Sequence, residues 1–233
     1  MSTPAAISGI LAVCVCCGTD IMPAISLAYE KAENDIMKRK PRNPVVDKLV
    51  NIKLVCFGYF VLGIISTLSG MFVYYVSFGY YGYAPWAITG FGNCWITSDK
   101  IILFQNSQGM YVETTATDRQ EALNHVNTCY FASIVMCQWG TLLCVKTRRN
   151  SIFQQGFRNY VLDVAIVFAG SLCCFIVYAP FINSIFSSAP IRGVFWLLPL
   201  PFFLFMVTFD ETRKFLMRQD NVIGRFIEEF TYY

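Results

Sequence analysis

From Leu54 to Phe78 the chain contains no Asp, Glu, Lys, Arg or His. A helix needs about 20 apolar residues to cross the hydrocarbon core of a bilayer, and this stretch is long enough. Four further apolar runs, at 5–29, 122–145, 160–185 and 194–209, are the other candidate spans. Only 14% of the residues are charged, and they gather in the segments between the runs. Soluble domains carry about 25%. The pattern specifies an all-α, polytopic transmembrane helical bundle of five spans, forming one domain over 1–233.

The cations set the topology. Lys and Arg number seven between Lys31 and Lys53, two in 79–121, four between Lys146 and Arg158, one (Arg192) before the fifth run and four from Asp210 onward. Alternate loops on the cytoplasmic side hold fifteen of the eighteen, so the positive-inside rule puts the N-terminus outside and the C-terminus in the cytoplasm. The cytoplasmic loops are then 30–53 and 146–159, and 79–121 is an outside loop with room for a partner. The basic loop 146–159 reads either as topology plus attraction to anionic lipid or as a docking element. An odd span count with an uncharged outside start fits a chain lacking an upstream hairpin partner. It also fits a complete five-span protein inserted by a reverse signal-anchor. No cleavable leader is expected, because the first run has no basic leader before it.

The first run carries an ionisable residue, Asp20, three residues before Pro23, which has no backbone N–H to donate. A carboxylate beside a helix break at membrane depth is costly. It reads as a functional site facing the bundle interior, or as a remnant held by structural hydrogen bonds. Thr19 in the same run, Thr141 in the third and Ser171 in the fourth are the neutral polar residues that could accompany it. Cys14, Cys16 and Cys17 are read as small apolar filler rather than a soft-metal site, since His125 is the sole histidine and no second thiol cluster accompanies them. Most other cysteines also lie in apolar runs, and a disulfide framework is not expected.

Several activities are excluded on the residues alone. There is no glycine-rich phosphate loop and no soluble segment large enough for a nucleotide domain. With one histidine at a membrane face, no Ser/His/Asp or Cys/His arrangement forms. The run KRKPRNP follows directly on a membrane span and is read as a topology signal, so no nucleic-acid partner is expected. The lipid bilayer is the primary partner.

The longest motifs carry a resemblance. CGTDIMPAISLAYEKAENDIMKRKPRNP, from Cys17 to Pro44, resembles the sixth transmembrane helix and following loop of the sodium/potassium- and proton/potassium-exchanging P-type ATPase alpha subunits. QWGTLLCVKTRRNSIFQQG resembles the end of their eighth helix and its loop, FDETRKFLMRQ the exit of the tenth, and Thr231-Tyr232-Tyr233 their carboxy-terminal tail. The resemblance covers essentially the whole chain and implies helices six to ten of ten, in the plasma membrane. It implies a cation ligand at Asp20 and neutral residues at other ligand positions: Cys16 and Thr141 where the family has aspartates, Phe168 and Ala169 where it has a glutamate pair. It implies pairing with a beta subunit through 79–121, where the nearest counterpart of the family's contact run is Ser107-Gln108-Gly109-Met110-Tyr111.

Three functions follow as expectations. The first is a P-type ATPase C-terminal membrane domain, non-catalytic alone, with degenerate cation sites and no cofactor of its own. The second is a fragment of a full-length pump that exchanges sodium for potassium or protons and uses Mg-ATP. The third is a free-standing regulatory or assembly partner of a pump or its beta subunit.

Overall fold

A computed structural model describes residues 3–33, 50–90, 95, 102–105, 109–219 and 227. Tyr232 and Tyr233, and the basic run from Lys38 to Arg42, lie outside the described residues. Five helices are long and apolar enough to cross a membrane: α1 (Gly9–Tyr29), α2 (Ile52–Tyr80), α3 (Ala116–Lys146), α4 (Tyr160–Tyr178) and α5 (Gly193–Arg218).

Local chemistry sets their ends. Ser8 caps α1, its Oγ accepting from the Leu11 N–H at 3.3 Å. Thr115 and Asp118 form a capping box at the start of α3. That helix therefore begins well before the apolar run 122–145 and has 31 residues, about 46 Å at 1.5 Å per residue. The apolar run 160–185 is not one helix. Pro180 disfavours helical backbone at the residue before it, so Ala179 is extended (φ −76°, ψ 112°) and a separate short helix, Pro180–Phe186, turns away along the outer face. The fifth run expected over 194–209 continues as helix to Arg218, for reasons that lie in its charged residues.

The most buried of the five is α3, and the others pack around it. Leu11 and Val15 of α1, Val73 of α2, Cys129, Phe131 and Val135 of α3, Cys173 and Val177 of α4 and Phe195 of α5 form one buried cluster. Cys129 and Cys173 are thus packing residues, and all nine described cysteines are free. Helices in lipid associate through close contact at small residues. A Cβ on Gly140 of α3 would lie 3.2 Å from both Met206 Sδ and a Phe203 ring carbon of α5. Gly140→Leu should therefore lower stability by about 1–3 kcal/mol, read as an earlier unfolding midpoint on denaturant titration of the detergent-solubilised chain. Gly79→Ala, where an added Cβ meets nothing within 4 Å, is the neutral comparison.

At the end where an outside loop is expected, a small folded unit extends the bundle. Tyr74, Phe78, Tyr83, Ile88, Trp95 and Val126 form a second buried cluster. Burial pushes the Tyr83 phenol up to about 12. Strands β1 (Ile102–Gln105) and β2 (Tyr111–Thr114) pair antiparallel beside it. Arg119, counted above as a loop cation, is completely buried here. Its Nε donates to the Trp95 carbonyl and one Nη to the Thr114 carbonyl, both at 3.0 Å, and the Trp95 indole N–H donates to the Arg119 carbonyl at 3.1 Å. Tyr80, Tyr178 and Trp196 ring the same end with their polar tips bonded, as interfacial aromatics do.

The inner end is closed by charge. Asp210 and Lys214 of α5 are completely buried and Arg213 nearly so. Lys214 Nζ lies 2.5 Å from Asp210 Oδ2, and Arg213 donates to Asp210 Oδ1 at 2.8 and 3.0 Å. Lys214 also donates to the Cys144 carbonyl at 3.0 Å and to Thr147 Oγ1 at 2.8 Å, so it caps the end of α3 from outside that helix. One position away, Glu211 accepts from the Ile152 N–H at 2.8 Å and the Ser151 hydroxyl at 2.7 Å, at the start of the short helix Ile152–Gln155. This is why α5 outruns its apolar segment: the residues that end its hydropathy are satisfied inside the protein.

Candidate cation site

The backbone of α1 is unusual where Asp20 lies. Residues Cys14–Asp20 form a π-helical segment, a widened turn that in other proteins often marks a functional site. The helix break expected at Pro23 is displaced from it: the widened turn lies upstream, and α-helix resumes over Ile21–Ser26 with Pro23 buried inside it. The Thr19 hydroxyl fills part of the loosened ladder, donating to the Val15 carbonyl at 2.9 Å.

Between α1 and α3 lies a cavity of about 210 Å³ whose walls include Thr19, Asp20, Pro23, Gln138, Trp139 and Thr141. Three of the residues singled out above, Asp20, Pro23 and Thr141, thus share one cavity. Thr19 bridges to α3 by its hydroxyl, 3.1 Å from Gln138 Oε1. Thr141 turns its own hydroxyl to the Cys137 carbonyl at 3.1 Å. The Trp139 indole nitrogen is buried and meets no acceptor among the described residues. The lining is mostly apolar, with Leu27, Leu142 and Val145 at one end.

Asp20 is exposed at the mouth of this cavity, and its carboxylate takes no hydrogen bond or ion pair among the described residues. The exposed residues around it on α1 include Val13, Cys16, Cys17, Ile21, Ala24 and Ile25. The other positions are not brought to it. Cys16 is exposed on α1 outside the cavity, Phe168 points outward from α4, and Ala169 is fully buried in the α4 core. Among the described residues no three His, Cys, Asp or Glu side chains stand close enough to hold a metal ion. The arrangement offers one carboxyl group, two hydroxyls and a carboxamide.

Gln138 and Trp139 were the members that residue-by-residue reading missed. Both sit in the run QWGT, but only the geometry shows that Gln138 meets Thr19 across a helix interface. The buried Asp210–Arg213–Lys214 group was missed as well. Its signal was the i, i+3, i+4 spacing of opposite charges just past the fifth apolar run.

Comparison with known proteins places these features. Residues 4–216 match the family described as cation transporting ATPase, C-terminus. The chain is 41% identical over 230 residues to a sodium/potassium-transporting ATPase subunit alpha-B of Artemia franciscana and 40% identical over 230 residues to a sodium/potassium-transporting ATPase subunit alpha of Drosophila melanogaster. It is 37% identical over 232 residues to the corresponding subunit of Hydra vulgaris. Each match covers 99% of this chain and 22% of the relative, so the chain spans about a fifth of the length of these proteins.

Proposed function

Because the chain belongs to the cation-transporting ATPase C-terminal family, we propose that it serves as the C-terminal membrane half of a P-type ATPase alpha-like subunit, non-catalytic by itself and with degenerate cation sites. The observation that carries this reading is the cavity between α1 and α3, where Asp20 is the only carboxylate. A dehydrated monovalent cation is held by several oxygens drawn from more than one helix, with carboxylate charge offsetting its lost hydration. Thr141 contributes a hydroxyl already committed to its own helix, and Cys16, Phe168 and Ala169 contribute no charge. The orientation that goes with this function has the N-terminus outside and the inner charge group at the cytoplasmic face of the plasma membrane, as the cation distribution favours.

The test is direct. The purified chain in lipid nanodiscs should release no phosphate from Mg-ATP and should retain no sodium or rubidium tracer saturably in the millimolar range. Saturable retention that Asp20→Asn abolishes would overturn the degenerate-site assignment, and ATP hydrolysis would overturn the non-catalytic one.

One observation favours a second reading, in which the chain is part of a longer pump that exchanges sodium for potassium or protons. Asp20 stands unpartnered on an apolar helix face, a costly placement in lipid, and the relatives have nearly four-fifths of their length beyond this region. An antibody against the loop from Lys31 to Lys48 distinguishes the two on a blot of native membranes. A band several-fold heavier than 26.5 kDa selects the longer pump.

A further inference from the structure

The inner end of the bundle holds a second cavity, of about 580 Å³, lined by Glu30, Lys31, Asn150, Gln154, Gln155 and Arg158. Its Glu30 and Lys31 follow by three and four residues Leu27, which lines the α1–α3 cavity together with Val145.

The charges in the polar cavity are unequal in what they can offer. Glu30 is engaged, with Oε1 4.0 Å from Lys146 Nζ and Oε2 accepting from Asn159 Nδ2 at 3.1 Å. The Lys31 ammonium and the Arg158 guanidinium make no hydrogen bond or ion pair among the described residues. Gln154 has its oxygen occupied, accepting from the Ser151 N–H at 3.3 Å and Arg218 Nη1 at 2.6 Å, which leaves its amide N–H groups as donors. The cavity therefore combines two uncompensated cations with an amide donor, the chemistry that takes a phosphate. On the same loop Phe153 and Tyr160 are more than four-fifths exposed and Phe157 more than half. Exposed aromatics beside cations belong at the headgroup level of a membrane.

We propose that the two cavities form one site for an anionic phospholipid, with its phosphate at Lys31 and Arg158 and the first part of an acyl chain in the slot between α1 and α3. The site uses the basic loop for a specific lipid, where charge alone would give only a diffuse attraction to the leaflet.

The experiment is native mass spectrometry of the detergent-purified chain, titrated with phosphatidic acid or with phosphatidylcholine of the same acyl composition. One tightly held phosphatidic acid is expected, with phosphatidylcholine clearly weaker. Each cation near an anionic membrane surface is worth roughly fivefold in binding, so Lys31→Gln with Arg158→Gln should weaken phosphatidic acid about thirtyfold. Both side chains lack partners, so the variant should fold, and an unchanged monodisperse elution checks that. Ala24→Trp, which fills the apolar slot, should also weaken the lipid. Equal binding of both lipids, or undiminished binding by the double variant, would overturn the proposal. So would glycerol 3-phosphate competing as well as the lipid, since that outcome assigns the cavity to a free phosphate.

Discussion

Asp210→Asn should destabilise the folded chain by about 3–5 kcal/mol, the usual cost of stranding a buried charge without its partner. Lys214 is completely sequestered, and its ammonium would keep only the Cys144 carbonyl and Thr147 hydroxyl. Arg213, stacked 4.2 Å over the Phe57 ring, would lose the charged oxygen that accepts from its guanidinium. The measurement is the unfolding midpoint in a mild detergent, with trypsin sensitivity of the 146–159 loop as a local readout. The loop is anchored by neighbouring Glu211 and should loosen with the end of α5. A paired replacement, Asp210→Leu with Lys214→Met, should recover much of the loss, because removing both charges removes the desolvation penalty with the attraction. Equal damage from the single and paired changes would show that the group acts through hydrogen bonds to α3 rather than through charge.

Arg119→Met should be nearly as damaging, but at the opposite end. The substitution keeps the length of the side chain and deletes its fork. The Trp95 and Thr114 carbonyls then lose the bonds from the guanidinium inside a closed cluster, and a hydrogen bond to a charged group is worth about 1.5–3 kcal/mol. The expected result is loss of order around Trp95 and β2: faster hydrogen exchange at β2 and red-shifted emission from Trp95, with the membrane helices intact. Arg119→Lys should rescue little, since one ammonium cannot serve two divergent carbonyls as the fork does. Retention of native Trp95 emission in Arg119→Met would show that the aromatic cluster of Tyr74, Phe78 and Tyr83 holds the loop without the arginine.

These two residues also mark where the sequence stopped being legible. Five apolar runs gave five helices, because length and lack of charge decide crossing. Hydropathy assigns every Arg, Lys and Asp to water, so it ended the third helix short of Arg119 and the fifth short of Asp210. Both charges are inside the protein: Arg119 is held by Trp95, 24 residues away in sequence, and Asp210 by Lys214, which itself reaches Cys144, 70 residues away. The division of the fourth run did have a local signal, Pro180, which the long apolar stretch around it outweighed. In the cavity, Asp20 and Thr141 were legible as polar residues inside apolar runs, and the resemblance placed both at family ligand positions. The Thr19–Gln138 contact came from neither periodicity nor motif, because the widened turn over Cys14–Asp20 shifts the helix phase that such a deduction would use.

The length of α3 has a mechanical consequence. At about 46 Å it exceeds the roughly 30 Å hydrocarbon core, and each end is gripped: the first turn by the arginine fork, the last by the ammonium of α5. A single stiff spar thus joins the two aqueous faces, while α1 and α4 lean on its flank. Torque applied to the outer loop is delivered to the inner charge group without passing through any joint, and a wedge driven in beside Cys144 would be felt at Trp95.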